Sequence, residues 1–138
     1  MEIEIQLTNA SICEQLLAPT SGVGAGAWAE FRGVVRGEED GAVIVALEYE
    51  AYSPMAETEM RRIIAELAGD HPCLFVRVIH RVGIVPVGEA AIYVGVAARH
   101  RAEAFRMLAE FMNRLKQDVP IWKRRTFTAA ELAELKTK

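Results

Sequence analysis

Apolar residues of two different periods, alternating along the chain, predict an α+β fold with helices packed on a mostly antiparallel sheet. Three observations carry that prediction. Stretches rich in β-branched and aromatic residues are bounded by turn residues, and stripes at helical spacing interrupt them. No repeat, low-complexity tract or linker appears, so residues 1–138 are expected to form a single domain.

The expected order is β-α-β-β-α-β-β-α-β-α. MEIEIQLT alternates Ile3, Ile5 and Leu7 with polar residues and reads as a strand rather than a signal peptide. Residues 9–17 read as a short helix ended by Pro19, and TSGVGAGA, 20–27, as a small-residue connector. GVGAG lacks the GK[ST] ending of a phosphate-cradling loop, and strand-like sequence from Trp28 to Val35 follows it. Gly33 within that strand marks a bulge or a close backbone approach. Gly41 in EEDG turns the chain into a second strand, VIVALEYEAY.

Ser53 is expected to cap a helix that has Pro54 in its first position and Met60, Ile63, Ile64 and Leu67 on its apolar face, with Gly69 as the stop. Leu74–Arg81 and Ala90–Ala98 read as strands joined by the turn-rich VGIVPVGE. Ala104, Phe105, Leu108, Phe111, Met112 and Leu115 form the stripe of a long helix, most simply its core-facing side. Thr128 and Glu131 make a capping box for a short last helix.

Composition excludes several classes of function. A net charge of −3 supplies no general field for nucleic acid, although 99–101 and 114–125 are locally basic. Cys13 and Cys73 form no CxxC pair, which argues against a disulfide framework or a zinc site and favours a reducing compartment. No apolar run approaches the roughly 18 residues a membrane span needs. A cytoplasmic, soluble protein without metal or cofactor is expected.

The most informative segment is LKQDVPIWKRR, Leu115–Arg125. It reads as a helix end, a turn at Pro120 and a short strand anchored by a buried Trp122. Lys116 and Lys123 would then be held in place, although solvated lysines are the commoner cause of such spacing. In ARHRAEAF, Arg99, His100 and Arg101 stand where unsatisfied backbone N–H groups favour an anion, unless they pair with Glu103 or other acids. Arg36 at a strand end is a weak signal alone, and His80 reads as a satisfied core histidine. His71 reads as loop, and Glu48 and Glu50 share a strand face that is more simply solvated than catalytic. With no GxSxG, HExxH or serine–histidine signature, any chemistry rests on Lys, Arg and His around an anion.

FRGVVR (31–36), LEYEAYSPMAE (47–57), HRVGIVPVGEAAIYVGVAARHRAEAF (80–105) and LKQDVPIWKRR (115–125) occur in the order of, and resemble, the MoaE family of catalytic (large) subunits of molybdopterin synthase. The resemblance spans about residues 27 to 125. It implies an α/β hammerhead-type fold and a homodimer within a heterotetramer. The other subunit would be a small ubiquitin-fold sulfur carrier with a C-terminal Gly-Gly thiocarboxylate. Two sulfurs would pass from it to precursor Z, a cyclic pyranopterin monophosphate, giving the molybdopterin dithiolene.

Lys116 and Lys123 match the family's two essential lysines, and Arg36, His100 and Arg101 match the basic residues lining its pocket. Crowding by other cations would lower the pKa of either lysine. Two departures stand out. Arg125 replaces an acid common in the family on the surface that meets the carrier, and the tail offers Lys136 and Lys138 where the family often has an arginine. A non-catalytic docking module for the same carrier is the alternative reading. A small RNA-binding domain is disfavoured by net charge and few aromatics.

Overall fold

The structure, a computed structural model, describes residues 1–13 and 24–137. It contains nine strands and three helices among them: β1 (Glu2–Thr8), β2 (Ala27–Val34), β3 (Glu38–Glu39), β4 (Ala42–Val43), β5 (Ala46–Ala51), α1 (Met55–Leu67), β6 (Phe75–Arg81), β7 (Gly83–Pro86), β8 (Ala90–Ala98), α2 (Arg101–Asp118), β9 (Ile121–Phe127) and α3 (Ala129–Lys136). The α+β expectation holds, and the strands divide into three sheets. A four-stranded sheet has the order β1-β6-β8-β2, a three-stranded sheet β7-β5-β9, and β3 and β4 form a hairpin. All pairings are antiparallel except β1 with β6.

The main core lies between the four-stranded sheet and the first two helices. Met60, Ile63 and Ile64 of α1 and Met107 and Phe111 of α2 are fully buried against Val76, Val78, Val94 and Val96. The 3.6-residue period of both helices explains this, because each presents one apolar face to a sheet whose strands are covered on that side. The α2 face differs from the expected stripe in gaining Met107 and losing Phe105. Ala104, Met107, Phe111 and Leu115 are buried, whereas Phe105, about 100° further round the helix, is 62% exposed.

Several local readings need correction. Residues 9–13 are not helical; the rest of the helix expected at 9–17, and residues 20–23 of the connector at 20–27, lie outside the described residues. Pro54, not Ser53, is the N-cap of α1; the Ser53 hydroxyl instead donates to Glu57 Oε2 at 2.8 Å. VIVALEYEAY is broken, with Ile44 and Val45 outside both β4 and β5. VGIVPVGE holds a strand, β7, paired with β5.

The HR-x-G and V-G-E fragments of the sequence also find a physical reason. Arg81, closing β6, reaches across β7 to Glu89 at 2.7 Å, and Gly83 and Gly88 at either end of the connection have φ of 84° and 89°. Gly33 is both things expected of it. The β2–β8 register shifts between Gly33 and Val34, and a Cβ at Gly33 would stand 2.8 Å from Ile92 Cγ2. The capping box at Thr128 and Glu131 is present in both directions, at 3.0 and 3.2 Å.

Candidate functional site

The sequence LKQDVPIWKRR folds as expected into the end of α2, a turn and the start of β9. Val119 leaves the helical region with φ −92° and ψ 129°, as a residue before proline should. The backbone N–H of Tyr52, just after β5, donates to the carbonyl of Pro120 at 3.0 Å and ties the turn to that strand. Lys116 therefore stands in the last turn of α2, where a cation suits the helix dipole. Lys123 is the third residue of β9.

Both lysines line one cavity of about 430 Å3, within the range of small-molecule sites. Its walls come from β2 (Phe31, Gly33, Val34), β5 (Tyr49), β6 (His80), β8 (Ala91, Ile92), α2 (Met112, Leu115) and β9 (Ile121, Trp122). Trp122 is not the buried anchor expected. It is 44% exposed at the cavity wall, and Leu115, Val119 and Phe127 are the buried residues that hold this segment.

The electrostatics also differ from the expected crowding of cations. The Lys123 ammonium lies 2.9 Å from Glu39 Oε1, so its near neighbour is an anion. Lys116 has no ion-pair partner among the described residues. Tyr49 sits opposite Lys123 in the β5–β9 register. Burial raises the Tyr49 pKa above 10, an effect that Lys123 offsets and Glu39 reinforces.

The His80 ring, 5% exposed, meets Tyr49 edge-on with centroids 5.3 Å apart. Its Nδ1 lies 2.7 Å from the Arg81 carbonyl oxygen. A carbonyl only accepts, so Nδ1 carries the proton, and a neutral ring then has its lone pair on Nε2. Burial favours that neutral form by lowering the pKa, against the contribution of the carbonyl contact. The satisfied core histidine of the sequence reading is thus also a wall of the lysine cavity.

None of the three remaining candidates lines the lysine cavity. Arg36 follows β2 and lines a separate depression with Gly37, Glu38 and Asp40. His100 is the N-cap of α2 and Arg101 its first residue, both exposed. Sixteen residues of helical rise put His100 roughly 24 Å along the axis from Lys116. Arg99, His100 and Glu103 border a small depression of about 170 Å3 beside Cys73. The Cys73 thiol is pushed up to about 11 by burial and Glu103, which leaves it protonated.

Other candidates resolve into structural roles. Glu48 lies 3.2 Å from Arg125 and 4.0 Å from Arg124, and Glu50 lies 3.7 Å from Arg124, so this carboxylate pair is engaged by β9. His71 Nε2 lies 3.0 Å from Glu110. Lys136 is exposed near the end of α3, and Lys138 lies outside the described residues. Among the described residues no cluster suits a metal ion, and no helix is long and apolar enough to cross a membrane. Sequence reasoning missed Glu39, which it met only within the EEDG turn. Its contact with Lys123 spans 84 residues and has no local signature.

Comparison with known proteins bears on this arrangement. The sequence model described as MoaE protein matches residues 5–118. The human molybdopterin synthase catalytic subunit is 40% identical over 102 residues, covering 74% of this chain and 54% of the human protein. This chain thus spans about half the length of that relative. Among solved structures, molybdopterin synthase from Staphylococcus aureus superposes with a TM-score of 0.79 at 32% identity, covering 85% of this chain and 86% of the other. A molybdopterin biosynthesis MoaE protein from Burkholderia ambifaria gives 0.77 at 26% identity, covering 99% of both chains.

Proposed function

Because the chain belongs to the MoaE family, we propose that it is the catalytic subunit of a molybdopterin synthase. It would transfer two sulfurs from a thiocarboxylated ubiquitin-fold carrier to precursor Z. The observation that carries this reading is the convergence of Lys116 and Lys123, from a helix end and a strand, on one cavity. They are the two positions that match the family's lysines.

The cavity offers suitable surroundings for both reactants. Phe31, Val34 and Trp122, all exposed, give it apolar walls against which a narrow Gly-Gly tail can lie. The thiocarboxylate sulfur adds to the pterin, and water then cleaves the resulting thioester, returning the carrier as a carboxylate. Lys116 meets the carrier's terminal carbonyl and stabilises the oxyanion that develops there. Attack by its own amine on that acyl carbon, expelling hydrosulfide, would give an isopeptide side product. Lys123 serves as acid and base for sulfur addition and for opening of the cyclic phosphate.

Arg36, His100 and Arg101 are assigned to the phosphate, where guanidinium groups offer paired donors. The distance along α2 prevents His100 and Arg101 from serving the lysine cavity of their own chain. The assignment therefore requires a homodimer in which each copy presents the start of its α2 to the cavity of the other.

The test is molybdopterin formation from precursor Z by the purified chain with thiocarboxylated carrier, alongside Lys116→Ala. Turnover that collapses in the variant is expected. Carrier binding without turnover by the wild-type chain would instead leave the docking module as its function.

A further inference from the structure

The two lysines of the cavity are not equivalent. Lys116 has no ion-pair partner among the described residues, whereas Lys123 is held at 2.9 Å by Glu39. A lysine on the outer strand of a three-stranded sheet, 47% exposed, would otherwise sample many rotamers.

Glu39 is built to limit that freedom. It ends β3 in a hairpin whose two-residue turn, Asp40-Gly41, has φ of 51° and 81°, the left-handed pair that suits a tight hairpin. Its side chain is only 21% exposed. Tyr49 is the cross-strand partner of Lys123, and its phenol is near enough to feel the charges of both Lys123 and Glu39.

An exposed ion pair of this kind contributes little to stability, about 0–1 kcal/mol. Retention of the fold therefore gives Glu39 no evident purpose. We propose that Glu39 is a positioning residue that fixes the Lys123 ammonium at the cavity for proton transfer to the substrate. This rests on the sulfur-transfer reading above. It divides the labour between the lysines: Lys116 is left to an incoming carbonyl, and Lys123 is pre-oriented.

The experiment uses the full chain with Glu39→Gln and Glu39→Ala. Trace labelling with acetic anhydride at fixed pH, read by mass spectrometry, gives the ratio of acetylated Lys123 to acetylated Lys116. Molybdopterin formation is measured in parallel. The expected result is a labelling ratio raised several-fold, more in the alanine variant, with kcat reduced about tenfold by the misplaced group. KM for precursor Z and the melting temperature should stay near wild type.

An unchanged labelling ratio in both variants overturns the proposal, because Glu39 then does not hold Lys123. A raised ratio with wild-type kcat overturns it too, since the contact would exist without use. Absence of turnover by the wild-type chain would sink the sulfur-transfer reading alone. The labelling ratio would then still decide for or against the Glu39–Lys123 pair.

Discussion

Lys123 and Arg125 are separated by one residue on β9, yet they pair with Tyr49 and Glu48, adjacent residues that point to opposite faces of the sheet. On a regular strand the two cations would share a face. The register shift between Glu48 and Tyr49 makes Arg124 an extra, bulged residue and reverses one of them. Lys123 is thereby sent towards Tyr49 and the cavity, while Arg125 goes to Glu48 and stacks 4.4 Å over Phe127. Deletion of Arg124 should remove the bulge yet leave Lys123 opposite Tyr49 and Arg125 opposite Glu48, on the faces they occupy now. Molybdopterin formation by that variant is expected to stay within a few-fold of wild type, and a fall to the level of Lys123→Ala would show that the bulge itself aims Lys123.

The neutral His80 ring has a stability consequence. Its folded pKa is lowered below 6.5 by burial, so between those two values the unfolded chain binds more protons. Stability should therefore fall as pH drops below 6.5 towards the folded value, and be fully present above it. Tyr49, whose pKa burial raises above 10, does not change charge in that window. His80→Gln should flatten the melting temperature between pH 6.5 and 5, even if it lowers the plateau. An unchanged slope would show that another group titrates.

The Arg81–Glu89 pair predicts a non-additive response. Arg81 is 5% exposed and Glu89 is half exposed. Glu89→Ala strands a buried guanidinium and should cost about 2–4 kcal/mol by urea unfolding, somewhat less than for a fully buried pair. Arg81→Met combined with Glu89→Met should recover much of that loss. Equal costs for the single and double variants would show that packing, not charge, dominates here.

Gly95 supplies a steric test. A Cβ there would approach Tyr93 Oη at 2.6 Å and Trp28 Cζ2 at 2.8 Å. Both aromatic neighbours lie on the sheet face away from the helices and pack with Ile79. Gly95→Ala is expected to destabilise by about 1–3 kcal/mol in denaturant titration, as overpacking does. The lysine cavity does not include Gly95, so residual folded protein should keep its turnover.

Features encoded in neighbouring residues were legible in the sequence. The α1 face, the α3 capping box, the hairpin at Gly41 and the constraint at Gly33 each depend on residues a few positions apart. So did the helix–turn–strand that carries both lysines, because Pro120 dictates it locally. β7 was hidden, since Gly83, Pro86 and Gly88 read as a turn although Val85 is fully buried. Phe105 misled because an aromatic beside a stripe resembles one within it. The Glu39 contact and the bulge at Arg124 arise from strand pairing between distant segments, which no local pattern reports. Spacing also placed His100 and Lys116 at opposite ends of one helix, since the apolar stripe runs between them.

That last feature turns catalysis into a question of stoichiometry. If each cavity borrows His100 and Arg101 from another copy, two dead chains can make one live site. Lys116→Ala mixed with Arg101→Ala should then regain about a quarter of wild-type turnover, as random exchange in a two-fold dimer gives. Dilution should silence the enzyme while every chain remains folded, because mass action removes the neighbour before it removes the fold.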